Sequence, residues 1–250
     1  MKRIVIIIWI FLPLVMPAKN QSKLFEKANH FYQTKNYEKA IKLYDSIIHS
    51  GYISAPVYFN LGNAYFKLGK YPMAILHYEK AKKLAGDQED IDFNLRFSKQ
   101  FISDKIEPIP ELMLFRLWNQ MVNKRSSEGW AILGIIFFWI TLFFFSWMIL
   151  FRKIWIKKTN LAFGLLFFVL FIFTLVFSWK RAAIESRYDY AIVMTPATSV
   201  KSAPDDESKE IFIIHQGIKI QLFEKVQDWQ KIRLADGKTG WIKIDDYLVI

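Results

Sequence analysis

Cysteine is absent from the 250 residues. Disulfides, thiol catalysis, Cys-ligated zinc and lipid attachment through an N-terminal Cys are therefore excluded. Histidine is scarce. His30, His49, His77 and His215 form no metal-like spacing with one another or with carboxylates on one helical face. There is no G-x-S-x-G, no phosphate-cradling glycine loop and no H-E-x-x-H. Asp205-Asp206-Glu207 has no apolar flank that would make one carboxyl a general acid, so it reads as a solvated loop. No catalytic, cofactor-binding or metal-binding residue is assigned, and the chain is read as non-enzymatic. Only a fold-specific activity without a sequence signature would restore an enzyme.

Charge is also missing, but only locally. Residues 130–151 contain no charged side chain over 22 positions, and residues 159–179 contain none over 21. At ~1.5 Å rise per residue, each makes a helix of roughly 30 Å, the thickness of a hydrocarbon core. Core helices of a soluble protein would carry a polar stripe every three or four residues. Neither run does, and both read as transmembrane helices. Trp130, Trp155 and Trp179 lie near their ends, where indole suits the headgroup region.

The net charge of +11 is concentrated rather than spread. Residues 1–19 hold three basic and no acidic groups, and residues 111–183 hold nine and two. Residues 184–250 hold nine basic and eleven acidic groups. An excess around a leader and two spans suits anionic lipid and membrane orientation, and it argues against nucleic acid as a partner.

Lys2 and Arg3, an apolar stretch from Ile4 to Val15, and small or polar residues from Ala18 onward have the layout of a signal peptide over 1–18. An uncleaved anchor is the alternative. Either one exports the chain downstream of it. The first span then runs inward and the second outward, which leaves 152–158 (RKIWIKK) as a cytoplasmic loop with four cations. Lys124 and Arg125 before the first span, with Glu128 beside them, and Lys180 and Arg181 after the second are weaker positive flanks, so Lys/Arg bias agrees with the leader.

Residues 20–105 repeat. A shift of 34 superposes Ala28 on Gly62, Phe31 on Tyr65, Tyr37 on Tyr71, Ala40 on Ala74 and Tyr44 on Tyr78. A second shift lays Phe93-Asn94-Leu95 on Phe59-Asn60-Leu61. This period and small/aromatic pattern resemble the tetratricopeptide repeat (TPR). Helices are expected at about 22–34, 37–49, 56–68, 71–84 and 88–104, the last a capping helix. The resemblance implies peptide binding on the face lined by the first helix of each pair. It points to Asn29, Asn60, Asn63 and Asn94, with Phe25, Phe59, Phe66 and Lys67 beside them. Carboxylate-clamping TPRs carry Lys where this sequence has Phe25, which argues against capture of a C-terminal carboxylate. Two other readings stand: the Asn side chains tie adjacent helices, or the groove packs on the protein's own membrane-proximal segment.

That segment is 106–129. Pro108 and Pro110 end the repeats. Leu114, Leu117, Trp118 and Met121 come next at helical spacing, with Arg116, Asn119, Gln120 and Lys124 among them. This predicts an amphipathic helix, either interfacial on the outer leaflet or packed on the TPR.

Beyond the second span the period becomes two. Strands are expected at 190–194, 211–214, 218–223, 229–234 and 240–244, with turns at Gly217 and Asp236-Gly237. Val200-Lys201-Ser202-Ala203-Pro204, Trp229, Lys231, Gly237, Gly240, Trp241 and Ile242 make 184–250 resemble the bacterial SH3 (SH3b) domain. The resemblance implies binding of cell-wall fragments or peptides through aromatic grooves. Trp241 reads as core, since so small a barrel needs aromatic burial. Trp229 stays open between core and ligand surface.

The predicted fold class is thus a multidomain membrane protein: an α-helical TPR solenoid, two transmembrane helices and a small all-β SH3-like barrel. This order of modules resembles the BatE proteins of the Bat aerotolerance group. The resemblance implies a scaffold of the bacterial inner membrane with both soluble modules periplasmic. It implies other Bat membrane proteins as partners, including von Willebrand factor A-type subunits, with a MoxR-type ATPase as a further associate. An envelope sensor or anchor gripping peptidoglycan through SH3b is the alternative.

Overall fold

The computed structural model describes residues 19–110, 112–151, 153–187 and 189–250. The expected signal peptide lies outside the described residues.

Helices α1 (Lys19–Gln33), α2 (Tyr37–His49), α3 (Ala55–Lys67) and α4 (Tyr71–Ala85) form two helix pairs. In α2 the buried residues Ala40, Ile41, Tyr44 and Ile47 fall on one helical face. The two intra-pair turns are built alike. Lys35 has φ +61° and Gly69, 34 residues later, has φ +71°. Asn36 then caps α2, accepting from the Lys39 amide at 3.4 Å. Close helix crossing needs the small residues: a Cβ at Gly62 would sit 2.7 Å from the Tyr78 ring.

The capping helix is shorter than the expected 88–104. Helix α5 (Glu89–Ser98) passes into a 3₁₀ turn, Lys99–Phe101. Beyond it the chain is extended: Ile102 packs both on the repeats and on the core of the β module, and Ile106 packs on that core.

Helix α6 (Met113–Asn123) leads into the apolar pair α7 (Ser127–Leu150) and α8 (Ile154–Glu185). Both are long and apolar enough to cross a membrane, with mean hydropathy 2.3 and 2.7. Only 11% and 17% of their apolar windows are buried, which a core helix of a soluble protein would not leave open to water. Where they meet, the Phe144 ring stacks on Phe163 and Phe167 at 5.4 and 5.7 Å. Thr141 and Thr174 donate to carbonyls of their own helices, Phe137 at 2.8 Å and Phe171 at 2.7 Å, so neither hydroxyl is left unmatched in an apolar seam.

Helix α8 overruns the expected span at both ends. Residues 154–158, expected in the loop, already belong to it, because no Gly or Pro stops the helix before Lys153. At the other end Lys180–Glu185 extend it past the apolar run, being mostly good helix formers. Its 32 residues span about 48 Å against a hydrocarbon core of ~30 Å, so helical turns project beyond it.

On α6 the apolar and polar residues lie on different sides. Leu114, Leu117 and Met121 are exposed, and Arg116, Asn119, Gln120 and Asn123 line a cavity on the opposite side. The polar face, not the apolar one, is turned toward the repeats.

The C-terminal module is a seven-stranded antiparallel sheet. Its strands are β1 (Tyr190–Val193), β2 (Ala197–Lys201), β3 (Glu210–His215), β4 (Lys219–Val226), β5 (Trp229–Arg233), β6 (Thr239–Lys243) and β7 (Tyr247–Val249), in the order β3-β2-β6-β5-β4-β1-β7. Its core is Val193, Val200, Ile214, Ile220, Ile232 and Ile242 with their neighbours. Strands β2 and β7 are additions to the sequence reading. β7 is three residues long and is defined only by its pairing with β1, in which Tyr247 lies opposite Val193. The module does not stand apart. Ile192 and Ile250 share one buried cluster with Ile75, Leu76, Tyr78 and Leu95 of the repeats.

Candidate binding surfaces

The repeat period reappears as a polar ladder. The Tyr44 hydroxyl donates to Asn29 Oδ1 at 2.6 Å, and Asn60 Nδ2 donates to the same oxygen at 2.9 Å. Thirty-four residues on, the Tyr78 hydroxyl donates to Asn63 Oδ1 at 2.7 Å, and Asn94 Nδ2 donates to it at 2.9 Å. Burial pushes the Tyr44 hydroxyl up to about 12 and Tyr78 in the same direction, so both remain donors at neutral pH. Phe25 and Phe59, also 34 apart, pack on Tyr44 and Tyr78 at 6.0 and 5.8 Å.

All four predicted Asn residues are therefore brought together, and they do tie neighbouring helices. They also border open space. Asn29, Asn60 and Asn63, with Tyr32 and Gln33, line a cleft of about 270 Å³. Asn63, Asn94 and Lys67, with Phe66, Phe93 and Phe97, line a second of about 280 Å³. With each Oδ1 already occupied, Asn29 and Asn63 would turn to a ligand as donors through Nδ2. Phe59 packs inward, whereas Lys67 is exposed. The membrane-proximal segment does not fill these clefts; residues 102–109 lie along the SH3b-like sheet instead.

Sequence reasoning missed the aromatic platform beside them. Phe97 meets Phe66 at 5.5 Å and Phe101 at 5.3 Å, Tyr71 stacks on Phe101 at 4.5 Å, and Phe93 stacks on Phe97 at 6.1 Å. Phe93, Phe97 and Phe101 are all exposed. Their i, i+4, i+8 spacing was the available signal.

The other side of the repeats is closed by charged contacts. Glu79 of α4, 5% exposed, pairs with Lys99 at 3.1 Å and with Lys219 of β4 at 2.7 Å. Burial opposes its ionisation, but the Lys219 and Lys99 ammonium groups outweigh burial and hold the carboxyl down at about 2. Asp104 accepts from the His215 amide at 2.8 Å and meets its ring Nδ1 at 2.8 Å. The Ile109 amide donates to the Ala235 carbonyl at 3.1 Å.

A second joint ties the repeats to the apolar hairpin. Arg181, 3% exposed, donates to the Lys82 and Lys83 carbonyls at 3.1 and 2.7 Å and to Asn123 Oδ1 at 3.2 Å. Those carbonyls belong to the last turn of α4, where a cation suits the helix dipole. Glu185 balances the guanidinium as an ion pair at 3.2 Å and accepts from the Ser127 amide at 2.9 Å at the start of α7. The Asn123 carbonyl takes the Asp87 amide at 2.7 Å. This approach requires Gly86, where a Cβ would sit 2.3 Å from that oxygen.

On the sheet, Trp229 is 7% exposed, with the Lys243 ammonium 5.2 Å from its ring centre. It is buried like Trp241 and does not offer the open aromatic surface considered for it. A more exposed aromatic of the sheet is Phe223, 48% open, with the Arg233 guanidinium 4.5 Å from its ring centre. Both border a cleft of about 590 Å³. Among the described residues no group of three His, Asp or Glu converges to hold a metal ion.

Comparison with known families agrees with this division. The tetratricopeptide repeat model matches residues 55–87, which span α3 and α4. The bacterial SH3 domain model matches residues 196–248. No curated protein matches the chain. The chain therefore carries a tetratricopeptide repeat and a bacterial SH3 domain, two interaction modules, on either side of a pair of helices long and apolar enough to cross a membrane.

Proposed function

We propose that the protein is a non-enzymatic scaffold of a bacterial inner membrane that holds its TPR and SH3b modules in the periplasm and captures an extended peptide in the TPR groove. The observation that carries this reading is the asymmetry of the repeats. One side is consumed by the sheet and the hairpin, while the Asn-lined clefts on the other stay open. Residues 1–18 act as the signal peptide, and 152–158, with the first turn of α8, form the cytoplasmic end of the hairpin. The partners are membrane or periplasmic proteins, and the BatE-like order of modules makes Bat-type proteins with von Willebrand factor A-type subunits the first to test.

Photo-crosslinkers placed at Lys67 and Phe93 in cells should trap one discrete partner, and the same crosslinker at Tyr52, an exposed site away from the clefts, should not. Equal capture at all three positions would sink the groove as the binding site. Orientation is read separately: a phosphatase-type reporter at the C-terminus should be active, and a reporter that works only in the cytoplasm should be silent.

A second reading, peptidoglycan binding, is favoured by the exposed Phe223–Arg233 pair in its cleft. It is tested by sedimenting the full detergent-solubilised chain with purified sacculi. Binding abolished by Phe223→Ala supports it, and an unaffected or absent pellet removes it.

A further inference from the structure

A cavity of about 620 Å³ lies where the repeats, α6, the end of α8 and the β-sheet meet. Its size falls within the roughly 300–1,000 Å³ of small-molecule sites. Seven cationic side chains line it against three carboxylates. Several of these charges are already matched. Lys219 pairs with Glu79, and Lys82 pairs with Asp87 at 3.1 Å. Arg181 is spent on the α4 carbonyls and Glu185, and Lys83 donates to the Ile250 carbonyl at 2.9 Å. The side chains of Arg116 of α6, Lys180 of α8 and Arg187 remain without an ion-pair or hydrogen-bond partner among the described residues.

Three unpaired cations against the single unpaired carboxylate of Asp189 leave this concave wall net positive, which calls for an anion. The polar neighbours narrow its chemistry. Gln120 brings an amide donor to the wall, and Asp189, which also lines it, has an Oδ1 that meets no donor among the described residues. A ligand that combines negative oxygens with a hydroxyl would satisfy both sides.

The position narrows the source. Lys180 directly follows Trp179, whose indole is 76% exposed at the end of the apolar run. On α6 the cavity-lining residues Arg116, Gln120 and Asn123 back onto the exposed apolar face of Leu114, Leu117 and Met121. A helix that lays such a face into a bilayer holds its polar side at headgroup level.

We propose that this cavity binds a phosphate group, presented by the hydroxyl-bearing headgroup of an anionic phospholipid or by a free phosphate ion. Arg116, Lys180 and Arg187 supply the charge, and Asp189 accepts from the headgroup hydroxyl. The proposal rests on the membrane reading of α7 and α8 and is independent of what occupies the TPR groove.

The test uses the full chain in phosphatidylcholine nanodiscs. Short-chain phosphatidylglycerol, short-chain phosphatidylcholine and inorganic phosphate are titrated separately, and binding is followed by native mass spectrometry. Phosphatidylglycerol should bind, phosphatidylcholine should not, and the triple variant Arg116→Gln/Lys180→Gln/Arg187→Gln should lose about 100-fold in affinity, at about fivefold per charge near the membrane surface. Each single variant should lose about fivefold, which guards against a misfolded triple variant. Lys157→Gln/Lys158→Gln, at the far end of α8, should change nothing. Binding of inorganic phosphate alone, lost in the triple variant, supports the site and assigns it to a soluble ion. Phosphatidylglycerol affinity that is unchanged in the triple variant, or weakened as much by Lys157→Gln/Lys158→Gln, overturns the proposal.

Discussion

The Lys219 ammonium, on the β-sheet, lies 2.7 Å from Oε2 of Glu79, on helix α4 of the repeat region, 140 residues away in the chain. That carboxylate is nearly inaccessible, and Lys99 reaches its other oxygen at 3.1 Å. The contact joins the two modules beside the apolar cluster that Ile192 and Ile250 share with the repeats, and it adds a pH-sensitive tie to that packing.

The pH dependence follows from Glu79. Its carboxyl is held at about 2 in the folded chain against an ordinary value of 4.5. The folded state therefore prefers the ionised form, and the stabilisation is fully present above about pH 4.5. It is lost as pH falls from there through about 2. Glu79→Gln should lower stability near neutral pH by about 1–2 kcal/mol, a figure kept small because both lysines are more than a third exposed. It should also flatten this acid limb. Thermal unfolding in detergent across pH 2–7 measures both effects.

A second acid-sensitive group sits in the repeats. His77 lies between Tyr58 and Tyr65, stacked at 5.9 and 5.2 Å, and neither ring nitrogen has a partner among the described residues. Burial, assisted by Lys80, pushes its pKa down to about 3. The unfolded chain takes up this proton near 6.5 and the folded chain does not, so stability falls as pH drops from about 6.5 toward 3. His77→Phe keeps the stack and removes two unsatisfied nitrogens. It should raise stability by about 1–2 kcal/mol at neutral pH and abolish this part of the acid loss. The same unfolding series, run on this variant, checks both effects.

The paired turns make opposite predictions for the backbone. Gly69 has open space where a Cβ would go, so Gly69→Ala should cost about 1–2 kcal/mol through its left-handed backbone alone. Lys35 already bears that strain in the first repeat. Lys35→Gly should relieve part of it, leaving a gain of up to about 1 kcal/mol after the added chain entropy of glycine. Urea titrations of the two variants, read by far-UV circular dichroism, should move in opposite directions.

Arg181 should behave as a structural joint rather than a surface charge. Arg181→Met strands Glu185 and the carbonyls of Lys82 and Lys83, and should cost about 3–5 kcal/mol. Asn123→Ala removes a single acceptor and should cost about 1 kcal/mol. Limited proteolysis between α5 and α6 should accelerate more in the Arg181 variant than in the Asn123 variant.

The helices and most strands were readable because their signals are local. Tyr37–His49 carries its apolar face at helical spacing, and the 34-residue shift lays Tyr44 on Tyr78 from the sequence alone. The Asp236-Gly237 turn falls between β5 and β6 as its sequence demands. Strand β7 was not readable, since Val249 becomes a strand residue only by pairing with Ala191. The end of α5 was not readable either, because Ile102 just beyond it packs between the repeats and the distant β module, a contact no local signal encodes.

By itself, the amino-acid sequence determined the modules, their order and the two uncharged runs, because periodicity and the absence of charge act over a few neighbouring residues. The tertiary structure alone decided which polar groups are spent and which stay available. Arg181 read as a flanking charge and proved to be a buried tie, while Trp229 was open to either role and proved buried. The Asn ladder used its oxygens on neighbouring helices and left amide hydrogens beside the clefts. The physical reason is that burial and hydrogen-bond satisfaction depend on residues brought together from distant parts of the chain, such as the 140 positions that separate Glu79 from Lys219.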